Sequence, residues 1–430
     1  MQYTSQQNDW LVQPFCQPAS VEETNNQLIL DNGLIRRTFV TSPNFATVDY
    51  TNLITGSSLL RGIKPETVLT MNGHQFEVGG LKGQPDYAYL DLNWIPDLTS
   101  DHNAFQFCEY RVGEPEIRYP WVRRRSTASS VYPPEGVKLT VVFSPPPSVD
   151  SVQICVHYEL YQGIPVLSKW VTIRNAGQKP IQLDALSCET LAVNEQEKHR
   201  LHVESDYAFS GMETTRWGPD ADYKTQVDYH YQRPLLMTSS YPLGPGIHLQ
   251  PGETFKSFRT FEILHDSDAR ERKGLTRRKM YRMIAPQVTE NPILMHVRSA
   301  EPDAVRLAID QCAEVGFEMV IMTFGSGFDI EREDPEYITT MKELTDYAHR
   351  RGIRLGGYTL MCASRDVGEE FNCIDPDTGQ PGSRFGQSAC LASRWANGYF
   401  RRVLNFMDGT GMDVIAVSYT HLTLPTKRIV

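Results

Sequence analysis

The chain has 430 residues and a mass of 48.9 kDa, longer than one ordinary domain, so at least two are expected. Its hydrophobic share of 40% can fill a sizeable core, and its net charge of −10 (52 acidic against 42 basic residues) argues against a nucleic-acid binder or a protein held to an anionic membrane, and suits a neutral polar substrate. The start, Met1-Gln-Tyr-Thr-Ser5, has neither a basic nor an apolar leader region, and no apolar run approaches membrane-spanning length, so a cytoplasmic protein is expected.

From about residue 25 to 265 the chain reads as strands. Val137, Leu139, Val141 and Phe143 alternate with polar neighbours, as do Val152, Ile154, Val156, Tyr158 and Leu160. Period-2 alternation is what a sheet with one buried face requires. Turn chemistry separates such runs at Asp31-Asn32-Gly33, Asn72-Gly73, Asn175-Ala-Gly177 and Ser144-Pro-Pro-Pro147. Residues 1–265 are therefore expected to form a large antiparallel β-supersandwich, since an immunoglobulin-type module needs only ~100 residues. Residues 266–290 are charged and break the alternation, which predicts a linker helix.

Beyond the linker the period changes. Ile293–Val297 is a short apolar strand. Pro302 and Asp303 open a helix with Ala304, Ala308, Cys312 and Val315 on one face, and Gly316 ends it. Glu318–Phe324 is a strand apolar on both faces. Asp334-Pro335 starts a helix carrying Ile338, Met341, Leu344, Tyr347 and Ala348, closed by Gly352. Ile353–Tyr358 is a third strand. An excursion from Met361 to Ala392 follows, then a helix from about Arg394 to Met407 with Tyr399, Val403 and Phe406, and a fourth strand from Gly411 to Ala416. Residues 291–416 thus read as the first half of a TIM barrel, an incomplete (β/α)8 catalytic domain, since the closed form takes ~250 residues.

The last residues, 417–430, break this logic. Val417-Ser-Tyr-Thr-His-Leu-Thr-Leu-Pro-Thr426 places polar residues in a buried strand, and it resembles the one-frame translation of a transposon end used in sequencing libraries. The expectation is a metagenomic fragment whose own sequence ends near Ala416; a genuine short C-terminal strand is the alternative.

Four segments resemble the α-galactosidase-like glycoside hydrolases, families 36 and 27 of clan D. They are Tyr158-Glu-Leu-Tyr-Gln-Gly-Ile-Pro-Val-Leu-Ser-Lys-Trp170 in the sandwich, then Ala313–Met322, Leu344–Tyr358 and Gly411–Ile415. The order sandwich, linker, barrel is similar too. The resemblance implies retaining hydrolysis of an α-linked sugar in the full-length protein, with an oligosaccharide or glycoside as partner and no cofactor or metal. It implies a nucleophilic Asp at the end of the fourth strand, at the position of Ser418, and an acid/base Asp on a sixth strand, ~5–5.5 Å away. Neither group is present, so no catalytic residue is intact and this polypeptide is expected to be inactive. The family's Asp-Asp-Gly-Trp after the second strand is replaced by Thr323-Phe324-Gly325-Ser326, and its Trp and acidic residues after the third by Tyr358, Thr359 and Leu360. The barrel resemblance holds through these replacements, and a divergent subfamily acting on another α-linked sugar is as open a reading as an α-galactosidase.

Barrel enzymes carry function on the loops after the strands, which directs attention to particular residues. Arg298 after the first strand is suited to a hydroxyl or carboxylate, or to a surface ion pair. Phe324, Gly325, Ser326 and Asp329 form a glycine-bracketed turn that lets backbone approach a ligand, with Asp329 a sugar ligand or a turn residue. Tyr358 is a stacking wall or a rim filler. Arg365, Asp366, Asp375 and Asp377 lie in the long excursion, where lids and binding loops occur, although Asp375–Gly379 also reads as a plain turn. In the sandwich, Trp217-Gly-Pro-Asp-Ala-Asp222 is a loop over the barrel mouth or a packed Trp in a turn. Arg123-Arg-Arg125 is a solvated run, and His296 is expected to be a satisfied barrel-interior histidine.

None of the eight cysteines (Cys16, Cys108, Cys155, Cys188, Cys312, Cys362, Cys373, Cys390) falls in a metal-binding spacing, and Cys155, Cys188 and Cys312 are expected in cores. Neither a Gly-x-Ser-x-Gly elbow nor a His-Glu-x-x-His helix occurs. Two rival readings remain: a carbohydrate-binding protein whose barrel has lost its carboxylates, and a barrel sugar lyase or epimerase using a metal or Lys.

Overall fold

A computed structural model describes residues 9–121, 131–207, 213–224, 233–289, 292–362, 365–375, 378–382, 387–391 and 393–417. The Arg123–Arg125 run, Asp377 and the position of Ser418 lie outside these residues. The chain forms two compact units, one of residues 1–208 and 212–290, the other of residues 209–211 and 291–430.

The first unit is a sandwich of antiparallel sheets. One sheet is a five-stranded meander from Ser20 to Ser58. A seven-stranded sheet is centred on β1 (Gly136–Ser144), β2 (Val152–Tyr161) and β3 (Val166–Asn175), and another on the long β4 (Ile181–Val193). Alternation gave β1 its inward face: Val137, Leu139, Val141 and Phe143 are all buried. Along β2 the alternation ends at Val156, after which every residue to Tyr161 is buried. Side chains from all three sheets, among them Leu28, Phe39, Leu69, Leu139, Val171 and Leu183, share one core. The hairpin at Asn72-Gly73 has both residues at positive φ (50° and 76°), the type I′ geometry that matches strand twist.

The core contains charge. Arg37 meets Glu189 at 2.8 Å, Glu262 at 3.3 Å and Glu66 at 3.4 Å, and Lys169 meets Glu189 at 2.7 Å. Lys169 also donates to the Glu66 carbonyl at 2.5 Å, and Thr47 and Tyr158 donate to the Glu66 carboxylate. All of these side chains are buried. Two cations facing three carboxyls leave one carboxyl in excess. Burial and the neighbouring Glu189 hold the Glu262 carboxyl well above its usual range, while Arg37 and Lys169 bring Glu189 down to about 2 against its own burial. The pair therefore holds one proton, on Glu262. Tyr158 and Lys169, both in the segment that resembles the glycosidase family, are members of this network, so that signature is a packing signature.

Helix α1 (Arg270–Ile284) belongs to the sandwich unit, burying Thr276, Met280 and Ile284. Its partner is the start of the chain. The Trp10 indole donates to Asp266 at 2.8 Å, Arg272 is bidentate to Asp9 at 2.8 Å, and Lys279 donates to the Trp10 carbonyl at 2.6 Å.

The second unit is a four-stranded parallel sheet in the order β5 (Leu294–Val297), β6 (Met319–Met322), β7 (Arg354–Thr359) and β8 (Val414–Val417). Between successive strands run α2 (Pro302–Val315), α3 (Pro335–Arg350) and α4 (Arg394–Thr410). Local chemistry sets the ends. Pro302 and Pro335 sit in the first helical turns, Asp334 accepts from the Tyr337 N–H at 3.0 Å, and Gly316 and Gly411 close α2 and α4 in left-handed conformation. Met295, Val297, Val320, Met322 and Leu355 pack with Val305, Ile309, Met341 and Leu344 of the helices. Each such aliphatic side chain contributes roughly 1.5–3 kcal/mol on full burial.

Two expectations are corrected here. The buried stripe of α2 is Val305, Ala308, Ile309 and Cys312, while Val315 is 66% exposed. Spacing of four was weighed from Ala304, whereas the buried stripe starts at β-branched Val305 and ends at Cys312, leaving Val315 on the solvent side. His296 is exposed rather than satisfied: it lies with Leu294 on the helix-free face of β5, opposite Met295 and Val297, and no fifth to eighth strand faces it among the described residues. Among the described residues no helix is long and apolar enough to cross a membrane.

Candidate functional site

Side chains that could meet a ligand gather where the parallel strands end, on the loops that follow them. Register fixes which ones share a face. Leu294, His296, Met319, Ile321, Gly356, Tyr358, Val414 and Ala416 lie on the face away from the helix-packed residues. Tyr358 thus ends β7 facing away from the helices, where Phe324, 63% exposed, meets its ring edge-on at 6.2 Å.

The loop after β6 is tied to the loop after β5. The Ala300 N–H donates to the Ser326 carbonyl at 2.8 Å and the Thr323 N–H to the Val297 carbonyl at 2.9 Å. Gly325 and Gly327 take φ of 77° and 94°, which a side chain adopts only under strain, so glycine is needed here for conformation. Arg298 is exposed and makes no ion pair with a described residue. Asp329 is exposed, its carboxylate accepts from the Glu331 N–H at 2.9 Å, and its own N–H donates to the Tyr337 hydroxyl at 2.9 Å. That is turn chemistry.

Glu331, which the sequence did not bring forward, organises the edge. Its carboxylate lies between Arg365 and Arg402, the latter at 3.0 Å. The Arg365 guanidinium also sits over the rings of Tyr399 (5.2 Å) and Trp395 (5.8 Å), which stack on each other at 5.2 Å. Burial pushes the Tyr399 hydroxyl above its ordinary pKa against the hydrogen bond with Thr359 at the end of β7. No spacing rule joins residues 331, 365 and 402; only the fold does.

Asp366 accepts from the Gly368 N–H at 3.1 Å and from the Asn372 amide at 3.0 Å, and these bonds hold its carboxyl below the usual range. Asp334 is lowered too, by Arg332 and the Tyr337 N–H. A general acid needs the opposite shift. The Asp375 carbonyl accepts from the Gly379 N–H at 2.8 Å, as a turn would. The structure therefore groups Phe324 with Tyr358 and Arg365 with Glu331, and gives Asp329 and Asp366 local turn roles.

The same excursion gathers three cysteines the sequence left apart: Cys373 contacts Cys390, with Cys362 near enough to add to the burial that pushes Cys373 up to about 11. Cys188 and Cys312 are buried and Cys155 is half-buried. Among the described residues no group of three or more His, Cys, Asp or Glu could hold a metal ion.

In the sandwich, Trp217 lies in a strand (Thr215–Gly218) packed on the core, not in a turn. Asp220 is buried, ion-paired to Arg61 and, at 2.7 Å, to Lys64, while Asp222 is 85% exposed and 2.6 Å from Lys64.

No family model matches the sequence, and no curated protein matches it. The fold has close company. The family 36 α-galactosidase AgaB of Geobacillus stearothermophilus superposes with a TM-score of 0.54 at 11% identity, covering 92% of this chain and 65% of that one. The galactosidase domain of the α-galactosidase–sucrose kinase AgaSK gives 0.53 at 11% identity, over 92% and 66%. A variant of AgaA from G. stearothermophilus, in complex with raffinose, gives 0.52 at 11% identity, over 90% and 65%. The chain has an α-galactosidase-like fold, and it spans about 65% of the length of these neighbours.

Proposed function

We propose that this chain is the sandwich and opening half-barrel of a retaining glycoside hydrolase that acts on an α-linked galactoside or a related sugar. One observation carries the reading: four parallel strands in sequential order, their crossover helices all packed on one face, with the other face ending in Tyr358 and Phe324. Such a sheet is built to curl around its helix-free face into a barrel. In this reading Phe324 and Tyr358 form the wall against which a sugar ring stacks, the Gly325-Ser326 backbone and Arg298 contact hydroxyls, and the Arg365–Glu331–Arg402 clamp holds the loops in place. Raffinose in the AgaA complex supports an oligosaccharide as partner.

The 430 residues as they stand are proposed to be inactive, because double displacement needs two carboxylates ~5–5.5 Å apart across the sugar. The described carboxylates of this edge are instead engaged: Glu331 by two arginines, Asp329 and Asp366 in turns. That same engagement favours the second reading, a carbohydrate-binding protein without chemistry. Release of nitrophenol from aryl α-galactoside, measured for this chain beside a full-length homologue, separates them. Turnover by the homologue with retention and none by the chain is expected. Turnover by the chain overturns the inactivity, and a full-length homologue inert towards aryl α-glycosides overturns the hydrolase.

A further inference from the structure

A second feature lies in the sandwich unit, remote in sequence from the parallel sheet. Tyr87 and Tyr89 are 50% and 54% exposed, yet their rings stack at 5.6 Å with planes 15° apart, and Trp94 completes the group at 5.6 Å from each. Large rings normally fill cores, so two exposed tyrosines stacked with a half-buried Trp94 need an explanation.

Their backbone is firmly held. Lys82 and Thr99 exchange N–H···O bonds of 2.8 and 3.0 Å that close the base of the loop. Leu81 and Leu98 are buried with Val40, Val48 and Ile63, and Leu90 and Ile95 pack against the same cluster. Asp91 caps the short turn Leu92–Asp97 by accepting from the Asn93 N–H at 2.9 Å, and Asp86 accepts from the Lys224 N–H. The aliphatic side chains anchor the loop while the aromatic ones stand out from it.

Two hollows lie along the same loop. A cleft of about 260 Å³ is lined by Lys64, Lys82, Gln84, Asp86 and Asp222, taking in the residue before Tyr87. A groove of about 490 Å³ is lined by Asn25, Asn26, Gln27 and Ser42 with Leu92 and Ile95, the latter next to Trp94 in sequence. The cleft's cations are already neutralised, Lys64 by Asp220 and Asp222, and Lys82 by Glu77 at 2.6 Å. An anion has no unpaired cation to seek there, Arg61 being held by Asp220 as well. A protein partner is a poor fit too, since a stable interface buries ≈ 800 Å² a side and three half-exposed rings supply roughly 300 Å². What fits is a small neutral molecule with an apolar face and a rim of hydroxyls, and a pyranose has both.

We propose that Tyr87, Tyr89 and Trp94 form a binding platform for a neutral oligosaccharide, with the amides and paired charges beside them receiving its hydroxyls. The platform goes beyond the hydrolase reading and stands if that reading fails, because binding here requires no catalytic group.

The test uses the full chain with two probes, raffinose and soluble galactomannan. Saturation-transfer NMR should show raffinose contacts, and affinity electrophoresis should show retardation by galactomannan. Trp94→Ala should weaken binding about tenfold, the loss of one well-used ring contact. Trp94→Phe should stay within about threefold, and Lys342→Gln, on the exposed surface of α3, should bind as the parent does. The melting temperature of the triple Tyr87→Ala/Tyr89→Ala/Trp94→Ala variant should hold within about 2 °C, since the rings lie outside the core. Failure of the parent to bind either probe at millimolar concentration overturns the proposal, as does equal retardation of the triple variant. A change of oligomeric state in the triple variant also overturns it, assigning the rings to a contact between copies.

Discussion

The charge count in the sandwich core makes a sharp prediction, because two chemically identical substitutions in one network should move stability in opposite directions. Glu189→Gln removes the partner that Arg37 holds at 2.8 Å and Lys169 at 2.7 Å. Leaving buried cations short of a counter-charge costs about 3–5 kcal/mol. Glu262→Gln replaces a carboxyl that folding keeps protonated, and an amide donates to Glu189 much as that carboxyl does. The sign follows from linkage. A carboxyl whose pKa rises on folding holds a proton that the unfolded chain gives up above pH 4.5, so stability falls as pH climbs past that value. Gln abolishes that uptake, so Glu262→Gln should gain about 1–3 kcal/mol at pH 7 and nothing at pH 4. Glu189 runs the other way: lowered to about 2, its contribution is present above pH 4.5 and lost as pH falls towards 2. For a unit of this size about 1 kcal/mol moves the melting temperature by about 2 °C. Thermal unfolding followed by near-ultraviolet circular dichroism at pH 7 should thus show Glu189→Gln melting about 6–10 °C lower, and Glu262→Gln about 2–6 °C higher. Equal destabilisation by both substitutions would refute the one-proton assignment.

Three further outcomes can be checked. Gly357→Ala puts a Cβ 2.1 Å from the Phe328 ring, which is wedged against Phe406, so unit two should lose about 2–3 kcal/mol, seen as faster amide exchange in β6 and β7. His157, stacked on Trp170 and lowered to about 3 by burial and by Lys138, stays neutral in the folded chain. Its contribution of up to about 4 kcal/mol is lost as pH falls from 6.5 towards 3, so His157→Gln should flatten the acid side of a melting-temperature profile. Glu331→Gln should loosen the Arg365 and Arg402 contacts by about 1–2 kcal/mol, read as an earlier change in Trp395 fluorescence.

What the sequence made legible was the local part. Both ends of α2 and the start of α3 follow from Pro302, Gly316 and Asp334-Pro335, because capping needs only near neighbours, whereas α4 runs past the expected Met407 to Thr410 and is closed by Gly411, which had been read as the start of the strand. The apolar run Met319–Met322 announced a strand covered on both faces. The α2 stripe was misplaced by one residue because Ala304 and Val305 both fit a period of 3.6, and only the sheet beneath decides between them. The edge was least legible. Asp329 and Asp366 look like ligand carboxylates in one dimension and prove to be engaged by adjacent N–H groups, whereas Glu331, Arg365 and Arg402 meet across 71 residues. The buried network is longer in range still, joining Arg37 to Glu262 across 225 positions.

The lock between Asp9, Trp10 and helix α1 has a consequence for the nascent chain. The sandwich cannot finish until its own last helix has left the ribosome and turned back to meet Asp9 and Trp10. Translation from Trp10 to Ile284 takes roughly 15–55 s at about 5–20 residues per second. Throughout that interval the early sheets present their apolar faces to solvent or to whatever chaperone shields them.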